Sequence, residues 1–341
     1  MIGIGIIGAG FFGRRHADVI RKLPNVKLIA ASRTNEKKLR IFCDEYQVQA
    51  YSDYGDLLKR EDIEAVVIAV PHHKHTAISI DAAKAGKHIL LEKPMAHTVD
   101  DCVLIDNAAR ESGVKLMIGH NMRFFKSSVI GKQIIDSGEL GEPVLGRSTI
   151  SKNWITENRR PWHLDEDTGG GMLMTVGIHF IDVLSWLLNS RVESVRARVL
   201  TKFHNQTADD VGLLFLQYKN GLSGMVTSIG YSSGVTDLIT EITCTKGMLK
   251  INHLGGVYIG QKEAWSLIPD SIAEHPEEEA LQNEWKAFAR SITMEKPPPV
   301  SGDYGLHMVG IIDAAIQSSK MKQEIMLKDI VIPDMMINNE Q

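Results

Sequence analysis

The sequence has few cysteines, no strong excess of either charge and few aromatic residues. Its 341 residues include three cysteines, Cys43, Cys102 and Cys244, and carry a formal net charge of −4. An odd number of widely spaced cysteines argues against a disulfide framework and a thiolate metal site, and it favours a reducing compartment. The weak acidity gives no support for nucleic acid as a partner. These absences predict a cytoplasmic protein.

Membrane and export signals are also lacking at the level of the sequence. No apolar stretch is expected to approach the ~20 residues that a membrane-spanning helix needs, so no membrane partner is predicted. The segment Met1–Ile7 is apolar but short and has no basic leader, which indicates a first strand rather than a signal peptide. With 43% apolar residues, the chain is long enough for two domains that each have a core.

Residues 1–122 alternate between strand-like and helix-like segments. Strands are expected over Ile2–Ile7, Val26–Ala31, Ala65–Val70, His88–Leu91 and Lys115–Gly119. The first of these is apolar throughout, as is typical of a strand buried on both faces. Regular alternation with short connections predicts a dinucleotide-binding domain with a doubly wound parallel sheet, the Rossmann arrangement.

The pattern changes after about residue 123. Helices are expected over Ser128–Ser137, Met172–Leu188, Glu278–Thr293 and Tyr304–Ser318. The stretch Val192–Gly260 is strand-like and rich in turns, and its Asn220-Gly221 pair indicates a hairpin. Residues 123–341 are therefore predicted to form a second α/β domain with a mostly antiparallel sheet.

A glycine-rich loop follows the first strand. It consists of Gly8, Ala9, Gly10, Phe11, Phe12 and Gly13. This G-x-G-x-x-G spacing between a strand and a helix is typical of dinucleotide binding. Gly3, Gly5 and Gly8 have the same spacing, but no strand precedes Gly3. Nucleotide binding by Gly8, Gly10 and Gly13 is therefore the preferred interpretation, and glycines used only for tight packing are the alternative.

The end of the second predicted strand carries Ser32 and Arg33. An acidic residue at this position would hold the ribose 2′-hydroxyl of NAD and would repel a 2′-phosphate. A serine hydroxyl and a guanidinium can instead bind that phosphate, and Lys37 and Lys38 follow nearby. NADP is therefore predicted as the cofactor, with NAD also possible. The alternative for Arg33 is a solvated loop arginine.

The tripeptide Glu92-Lys93-Pro94 ends the strand His88–Leu91. A lysine at the carboxyl end of such a strand points into the crevice where the reactive end of a cofactor lies. The proline after it restricts the local backbone and so aims the amine. Lys93 is therefore a candidate for catalysis and for binding both cofactor and substrate, with its two neighbours as further cofactor contacts.

The stretch from Pro71 to His75 has three histidines at a spacing that resembles a metal site. A closed site needs further carboxylate or histidine ligands, and the nearby sequence lacks them. Loop or cofactor-edge histidines are the favoured interpretation, so Pro71 and His75 are candidates for cofactor binding and no metal is predicted.

Thr175, His179 and Asp182 follow a run of three glycines at i, i+4 and i+7. On an α-helix these positions share one face. Polar groups on a mostly apolar helix are costly unless they meet solvent, ligand or partners. His179 and Thr175 are therefore candidates for catalysis and substrate binding, and a histidine satisfied within the core is the alternative.

Aromatic and basic residues crowd the segment before these glycines. They are Asn153, Trp154, Arg159, Arg160, Trp162 and His163. Indole faces and polar groups suit a sugar ring, so Trp154, Trp162 and His163 are candidates for substrate binding. A solvent-exposed loop is the alternative.

Taken together, these motifs resemble the Gfo/Idh/MocA oxidoreductase family over nearly the whole chain. The landmarks include the glycine loop, His16, Tyr51-x-Asp53, Glu92-Lys93-Pro94, Arg123-Phe124 and Gly170-Gly171 through His179 to Asp182. The resemblance implies a Rossmann domain, a C-terminal α/β domain with a large, mostly antiparallel sheet, and homodimers or homotetramers that use this sheet. It also implies Arg123 as a substrate-binding residue and a sugar, cyclitol or related alcohol as substrate.

One residue departs from the pattern of this family. Many members carry an aspartate four residues before the histidine, where this chain has Thr175. A carboxylate would orient the imidazole and stabilise its protonated form, whereas a threonine hydroxyl only donates or accepts a hydrogen bond.

The leading hypothesis from the sequence is an NADP-dependent dehydrogenase or reductase that acts on a secondary hydroxyl of a sugar or sugar derivative. His179 would exchange the hydroxyl proton, and Lys93 would hydrogen-bond the same oxygen. A cofactor-binding regulator without turnover is an alternative from another class, and a reductase of a non-sugar carbonyl is a third.

Overall fold

The structure, a computed structural model, describes residues 1–329. It divides into two compact units. The first consists of Met1–Phe124 with His275–Leu306, and the second of Phe125–Glu274 with the described residues from His307 onward. The predicted second domain, 123–341, differs in including 275–306. Its residues 330–341 lie outside the described residues.

The strands and helices of residues 1–329 are as follows. The strands are β1 Ile2–Ile7, β2 Val26–Ser32, β3 Gln49–Tyr51, β4 Ala65–Ile68, β5 His88–Glu92, β6 Leu116–Gly119, β7 Pro143–Asn153, β8 Val192–Leu200, β9 Val211–Tyr218, β10 Ser223–Tyr231, β11 Asp237–Cys244, β12 Gly247–Asn252, β13 Gly256–Gln261, β14 Ala264–Leu267 and β15 Ile325–Met326. The α-helices are α1 Phe11–Ile20, α2 Glu36–Tyr46, α3 Tyr54–Leu58, α4 His75–Lys84, α5 Val99–Glu111, α6 Lys126–Ser137, α7 Ile178–Leu187, α8 Pro276–Thr293 and α9 Gly302–Met321. A π-helical turn, Leu173–Gly177, precedes α7.

The sheet of the first unit is parallel throughout its described pairings. Its strand order is β3-β2-β1-β4-β5-β6. From β1 the strands are added in one direction to β3 and then in the other direction from β4 to β6. The switch point therefore lies between β1 and β4, and ligands of such sheets bind there, outside the carboxyl ends of the strands. The predicted doubly wound Rossmann sheet is confirmed.

The core of the first unit forms where apolar strands meet the apolar faces of helices. All six residues of β1 are buried, and α1 contributes Ala17 and Ile20 to the same core. Helix α8 adds Trp285 and Phe288, both with no exposed surface. Because this helix supplies large side chains to the first core, residues 275–306 belong with the N-terminal sheet rather than with the segment before them.

The sheet of the second unit has the strand order β14-β13-β12-β11-β7-β10-β9-β8-β15. Its described pairs are antiparallel except β7 with β10, which run parallel. The predicted hairpin at Asn220-Gly221 joins β9 to β10, with Gly221 at φ +82°. The prediction of a large, mostly antiparallel sheet is confirmed.

One apolar segment in the second unit corrects an expectation from the sequence. Glu166–Leu187 is long and apolar enough to span a membrane by composition alone. However, 83% of its most apolar 18-residue stretch is buried inside the protein, as is typical of a core helix. Its C-terminal part, α7, packs on the sheet, where a Cβ at Gly146 would lie 2.6 Å from Leu184 Cδ1.

Candidate active site

The glycine loop Gly8–Gly13 connects β1 to α1 in the first unit. Gly8 has φ +105°, and a Cβ there would lie 2.3 Å from the carbonyl oxygen of Ala69. A Cβ at Gly13 would lie 2.2 Å from the carbonyl oxygen of Gly8, so the helix can begin this close to the loop only with glycine. A Cβ at Gly10 would meet no atom within 4 Å. The loop is therefore tight on its protein side and open at Gly10.

The N-terminus of α1 fits the pyrophosphate of a dinucleotide. Gly10 stands at the N-cap position, and no side chain caps the first turn. The backbone N–H groups of a helix N-terminus attract anions when no side chain satisfies them. Phe11 is 52% exposed beside this turn, and its ring contacts that of Phe12 edge to face at 5.8 Å between centroids.

Ser32 and Arg33 lie against the glycine loop. The carbonyl oxygen of Ser32 accepts the N–H groups of Gly8 at 3.0 Å and Ala9 at 3.1 Å. Nη1 of Arg33 donates to the carbonyl oxygen of Ala9 at 2.6 Å. Lys37 is exposed on the first turn of α2. The end of β2 thus places the backbone of Ser32 and the guanidinium of Arg33 beside the loop, with a lysine on the following helix.

His75 connects the segments that follow β4 and β5. Its Nε2 lies 3.0 Å from the carbonyl oxygen of Val70, and its Nδ1 lies 3.0 Å from that of Pro94. The ring has no exposed surface, and burial lowers the pKa of His75. Pro71 opens the turn between β4 and this histidine. Within residues 1–329, no group of three or more His, Cys, Asp or Glu side chains has the arrangement of a metal site.

Glu92 and Lys93 follow one another at the carboxyl end of β5, and both are buried. Oε1 of Glu92 lies 2.9 Å from Nε2 of His16 on α1. Burial alone would raise the pKa of Glu92, but the hydrogen bond with His16 and the charge of Lys93 hold that pKa below its usual value. The end of the strand is therefore anchored to α1 immediately before the catalytic candidate Lys93.

Arg123 lies in the first unit, shortly after β6. It is 8% exposed, and its guanidinium carbon lies 4.2 Å from the centre of the Tyr304 ring. A guanidinium over an aromatic face is stabilised by the ring quadrupole. Tyr304 is absent from the candidates that the sequence suggested, because it is 181 positions away along the chain.

Thr175 and His179 stand on either side of a change in helix type in the second unit. The predicted continuous α-helix Met172–Leu188 is wrong in its first part, where Leu173–Gly177 is a π turn. Asp209 supports this turn, because its Oδ2 accepts the N–H of Leu173 at 2.8 Å. The predicted α-helical spacing therefore does not apply from Thr175 to His179.

Burial differs among the polar residues of this segment. Thr175 is 7% exposed and Asp182 has no exposed surface, whereas His179 is partly exposed. The π turn carries the threonine, and the first turn of α7 carries the histidine. Single π turns occur frequently at functional sites, which agrees with a functional role for this segment.

The predicted aromatic cluster forms in the second unit. Trp162 and His163 stack with 3.6 Å between ring centroids. Trp154 is completely buried, and its Nε1 donates to Gln206 Oε1 at 2.9 Å. Arg159 lies over the Trp154 ring at 4.2 Å. Trp154 therefore supports the cluster from within, and Trp162 is its partly exposed member.

The sequence-derived candidates form two groups according to the unit in which they lie. The group of the first unit surrounds the carboxyl ends of β1, β2, β4 and β5 and comprises Gly8, Gly10, Phe11, Phe12, Gly13, Ser32, Arg33, Pro71, His75, Glu92, Lys93 and Pro94. The group of the second unit comprises Thr175, His179, Trp154, Trp162 and His163. Asp209 and Trp285 were missed. One signal was available in the sequence: Glu284 is a charged residue among the apolar positions of α8, which indicates a buried polar group on this helix.

Comparison with known proteins agrees with this architecture. A family profile described as "Oxidoreductase family, NAD-binding Rossmann fold" matches residues 2–120, and one described as "GFO/IDH/MocA C-terminal domain" matches residues 131–250. Inositol 2-dehydrogenase of Salmonella typhimurium is 28% identical over 93% of this chain and 94% of its own. Levoglucosan dehydrogenase of Pseudarthrobacter phenanthrenivorans is 26% identical over 74% of each chain.

A solved structure shares the fold. It is an oxidoreductase from Agrobacterium radiobacter in complex with NAD+, L-tartaric acid and magnesium, with a TM-score of 0.87 and 18% identity. The similarity covers 97% of this chain and 99% of that one. The chain therefore belongs to the Gfo/Idh/MocA family of oxidoreductases, and it is an enzyme of this family with an NAD-binding Rossmann fold.

Proposed function

We propose that the protein is an NADP-dependent dehydrogenase or reductase that acts on a secondary hydroxyl of a sugar, a cyclitol or a sugar derivative. The position of Lys93 supports this most strongly. Lys93 directly follows β5 at the carboxyl ends of the parallel strands, where β1 also leads into the glycine loop. The names of relatives that act on inositol and levoglucosan support the substrate class.

In this proposal the dinucleotide lies on the glycine loop, with its pyrophosphate at the N-terminus of α1. When bound, the nicotinamide accepts a hydride from the alcohol or returns it to the ketone. His179 takes the hydroxyl proton during oxidation and gives it back during reduction. Lys93 donates a hydrogen bond to the same oxygen and so stabilises the developing alkoxide charge. Thr175 positions His179 or the substrate.

Recognition of the sugar is assigned to aromatic and basic side chains. Trp162 offers an indole face, and His163 stacks on it and restricts its movement. Trp154 supports this pair from the interior, and Arg123 donates hydrogen bonds to substrate oxygens. Rigid aromatic rings suit a sugar because its C–H faces pack on them while its hydroxyls bond to polar neighbours.

The preference for NADP rests on Ser32, Arg33 and Lys37. The guanidinium of Arg33 donates a hydrogen bond to the glycine loop, which supports a role for its positive charge in binding the ribose of the cofactor. A 2′-phosphate would pair with this charge, whereas the carboxylate that would repel it is replaced by Ser32.

The catalytic assignment is tested with Lys93→Ala and His179→Ala in the full chain. Each variant should lower kcat by about 100-fold or more with the best substrate of a sugar and cyclitol panel, while nucleotide binding persists. Lys84→Ala, which changes an exposed lysine on α4, should retain normal turnover. Near-normal kcat in either active-site variant would exclude that residue from the mechanism.

We also propose a cytoplasmic homodimer or homotetramer that assembles through the second sheet. The three cysteines are free and buried, as expected in a reducing compartment. One face of the sheet exposes apolar side chains: Leu145 is 44%, Phe215 46% and Met225 53% exposed. Met225 is directly opposite Phe215, and contiguous apolar surface of this kind marks protein–protein interfaces.

A further inference from the structure

The loop between β8 and β9, residues 201–210, bonds to both parts of the candidate site in the second unit. We call it the β8–β9 loop. One of its side chains bonds to Trp154 of the aromatic cluster, and another bonds to the π turn that carries Thr175. The loop therefore connects the segment proposed to recognise the sugar with the segment proposed to carry out proton transfer.

A buried carboxyl group gives this loop a defined shape. Asp210, the last residue of the loop, has no exposed surface. Its two oxygens accept the backbone N–H groups of residues 202, 203 and 204 at 2.7, 2.8 and 2.9 Å. Bonds that tie the end of a loop to its beginning reduce the number of conformations available to it. The loop is therefore suited to act as a support for the segments that it contacts.

Gln206 connects the β8–β9 loop to the aromatic cluster. Its Oε1 accepts the indole N–H of Trp154 at 2.9 Å, and its Nε2 donates to the carbonyl oxygens of Ala208 and Asp209, both at 3.0 Å. An indole N–H only donates and a carbonyl oxygen only accepts, so this orientation of the amide satisfies all three partners. The Trp154 ring in turn packs edge to face on His163, with 6.5 Å between centroids.

Asp209 connects the same loop to the π turn. Its Oδ2 accepts the N–H of Leu173 at 2.8 Å, and its backbone carbonyl oxygen accepts the N–H of Met172 at 2.9 Å. The first N–H groups of a helix have no partner within the helix, so they need acceptors from elsewhere. Gly171 leaves room for the carboxyl group, because a Cβ there would lie 2.2 Å from Asp209 Oδ1. One loop residue thus holds the start of the turn that carries Thr175.

We propose that Gln206 and Asp209 are positioning residues: through them the β8–β9 loop holds the aromatic cluster and the π turn in the arrangement that the reaction needs. Gln206 positions the cluster, and Asp209 positions the turn before His179. This inference rests on the proposed function, because it concerns groups assigned there to sugar recognition and proton transfer. A small misplacement of such groups strongly lowers turnover.

The role of Asp209 is tested with a pair of variants. Asp209→Ala removes the acceptor of the Leu173 N–H, whereas Asp209→Asn keeps an oxygen there. In Asp209→Ala, kcat per folded enzyme should fall about 10-fold or more, while KM changes by less than about threefold. Asp209→Asn should return kcat toward the wild-type value. A wild-type kcat in Asp209→Ala, or equal losses in both variants, would overturn the assignment of Asp209.

The role of Gln206 is tested with Gln206→Met, which has a similar shape and lacks the amide. Loss of the bond to Trp154 should raise KM about threefold or more and should change kcat by a smaller factor. Asn205→Ala is the matched control, because Asn205 is an exposed residue of the same loop. It should leave both constants unchanged. An unchanged KM in folded Gln206→Met would overturn the assignment of Gln206.

Amide hydrogen exchange without substrate separates failure of this inference from failure of the proposed function. Exchange should become about 3- to 10-fold faster within residues 171–180 in Asp209→Ala and within residues 154–165 in Gln206→Met, and Asn205→Ala should not change it. These changes in an enzyme inactive on every alcohol tested would contradict the proposed function and support the role of the loop. Faster exchange with unchanged kcat and KM would mean that the loop is merely structural, and unchanged exchange would also overturn the inference.

Discussion

Arg33 leaves the end of β2 and donates through Nη1 to the carbonyl oxygen of Ala9 in the glycine loop. Its charge is the main reason to expect NADP. In Arg33→Ala, kcat/KM with NADP should fall about 10-fold or more, since a hydrogen bond to a charged group contributes about 1.5–3 kcal/mol. The value with NAD should change by less than about threefold by the same reasoning.

The control for this measurement is Arg40→Ala, an exposed arginine further along α2. It should leave the ratio of kcat/KM values for the two cofactors as it is in the wild type. A wild-type enzyme that uses NAD as well as NADP, or better, would contradict the assignment of Arg33 and Ser32.

Asp209 gives a pH dependence to the stability of the second unit. Burial, with the nearby charge of Asp210, raises the pKa of Asp209 to about 7, although its bond from the Leu173 N–H opposes this. An unfolded aspartate titrates near pH 4, so the folded state binds this proton more tightly. The resulting stability is fully present below about pH 4 and is lost as the pH rises through about 7.

Asp209→Asn keeps an acceptor for the Leu173 N–H and cannot ionise. The urea midpoint of the wild type should therefore fall more between about pH 5 and pH 8 than that of this variant. Asp167→Asn, at an exposed position of the same unit, should follow the wild type. Parallel pH curves for wild type and Asp209→Asn would mean that Asp209 ionises normally in the folded protein.

Residues that act through local spacing could be predicted from the sequence, and residues that act through distant packing could not. Lys93 is recognisable because its strand and its proline are adjacent to it. The hydrogen bonds from His16 to Glu92 and from Trp285 to His16 are not, since His16 and Trp285 are separated by 269 positions and meet only in the folded core. Asp209 is 36 positions from the turn it supports, and nothing in the intervening sequence links the two.

At the scale of the element, the glycine loop between β1 and α1 contains two glycines that allow dinucleotide binding and protein stability to be tested separately. Gly10→Ala adds a methyl group into open space, so the free energy of unfolding should change by less than about 0.5 kcal/mol. Affinity for the dinucleotide should fall about 10-fold or more, because the backbone at this glycine approaches the pyrophosphate.

Gly13→Ala is the matched variant. Its methyl group would collide with the Gly8 carbonyl oxygen, so both the thermal midpoint and dinucleotide affinity should fall. Nucleotide titration by fluorescence and a thermal melt distinguish the two variants. Unchanged affinity in Gly10→Ala would show that the phosphates do not approach this side of the loop.

The apolar pattern of Met172–Leu188 predicted a helix but not its type. Periodicity identifies an amphipathic or buried helix, but it does not distinguish the i→i+5 hydrogen bonds of a π turn from the i→i+4 hydrogen bonds of an α-helix. The π turn depends on contacts from other elements: Asp209 bonds its first N–H, and a Cβ at Gly177 would lie 2.9 Å from Ser228 Oγ. Such a turn is therefore a property of the packed unit.

At the scale of the whole molecule, the outward face of the second sheet makes a prediction about assembly. Phe215→Glu places a carboxylate on the exposed apolar surface beside Met225, where it should weaken the oligomer because burying a charge at an interface carries a desolvation cost. Light scattering coupled to gel filtration measures this change. Turnover assays on the same samples show whether a monomer is active.

Leu104→Glu is the control, because Leu104 is similarly exposed (53%) but lies on α5 of the first unit. It should leave the assembly state unchanged. A wild-type protein that is monomeric at high concentration, or an oligomer that persists in Phe215→Glu, would contradict assembly through this face.

The sequence predicted both sheets, and it could not predict which chain segments build each compact unit. Alternating β and α segments imply a parallel sheet, and turn-separated strands imply an antiparallel one. The apolar face of α8 is equally compatible with either core. Packing of Trp285 and Phe288 against the first core assigns α8 to the first unit, and this packing involves contacts between residues more than 200 positions apart.

The assignment of α8 to the first unit has a consequence for biosynthesis. Translation delivers Met1–Phe124 first, and the ribosome then adds all of Phe125–Glu274 before the helix that completes this core emerges. Until then the apolar surface that later receives Trp285 and Phe288 has no native cover, a condition that favours aggregation or chaperone capture of nascent chains. The first 124 residues must therefore wait for residues 275–306 to become a finished nucleotide-binding unit.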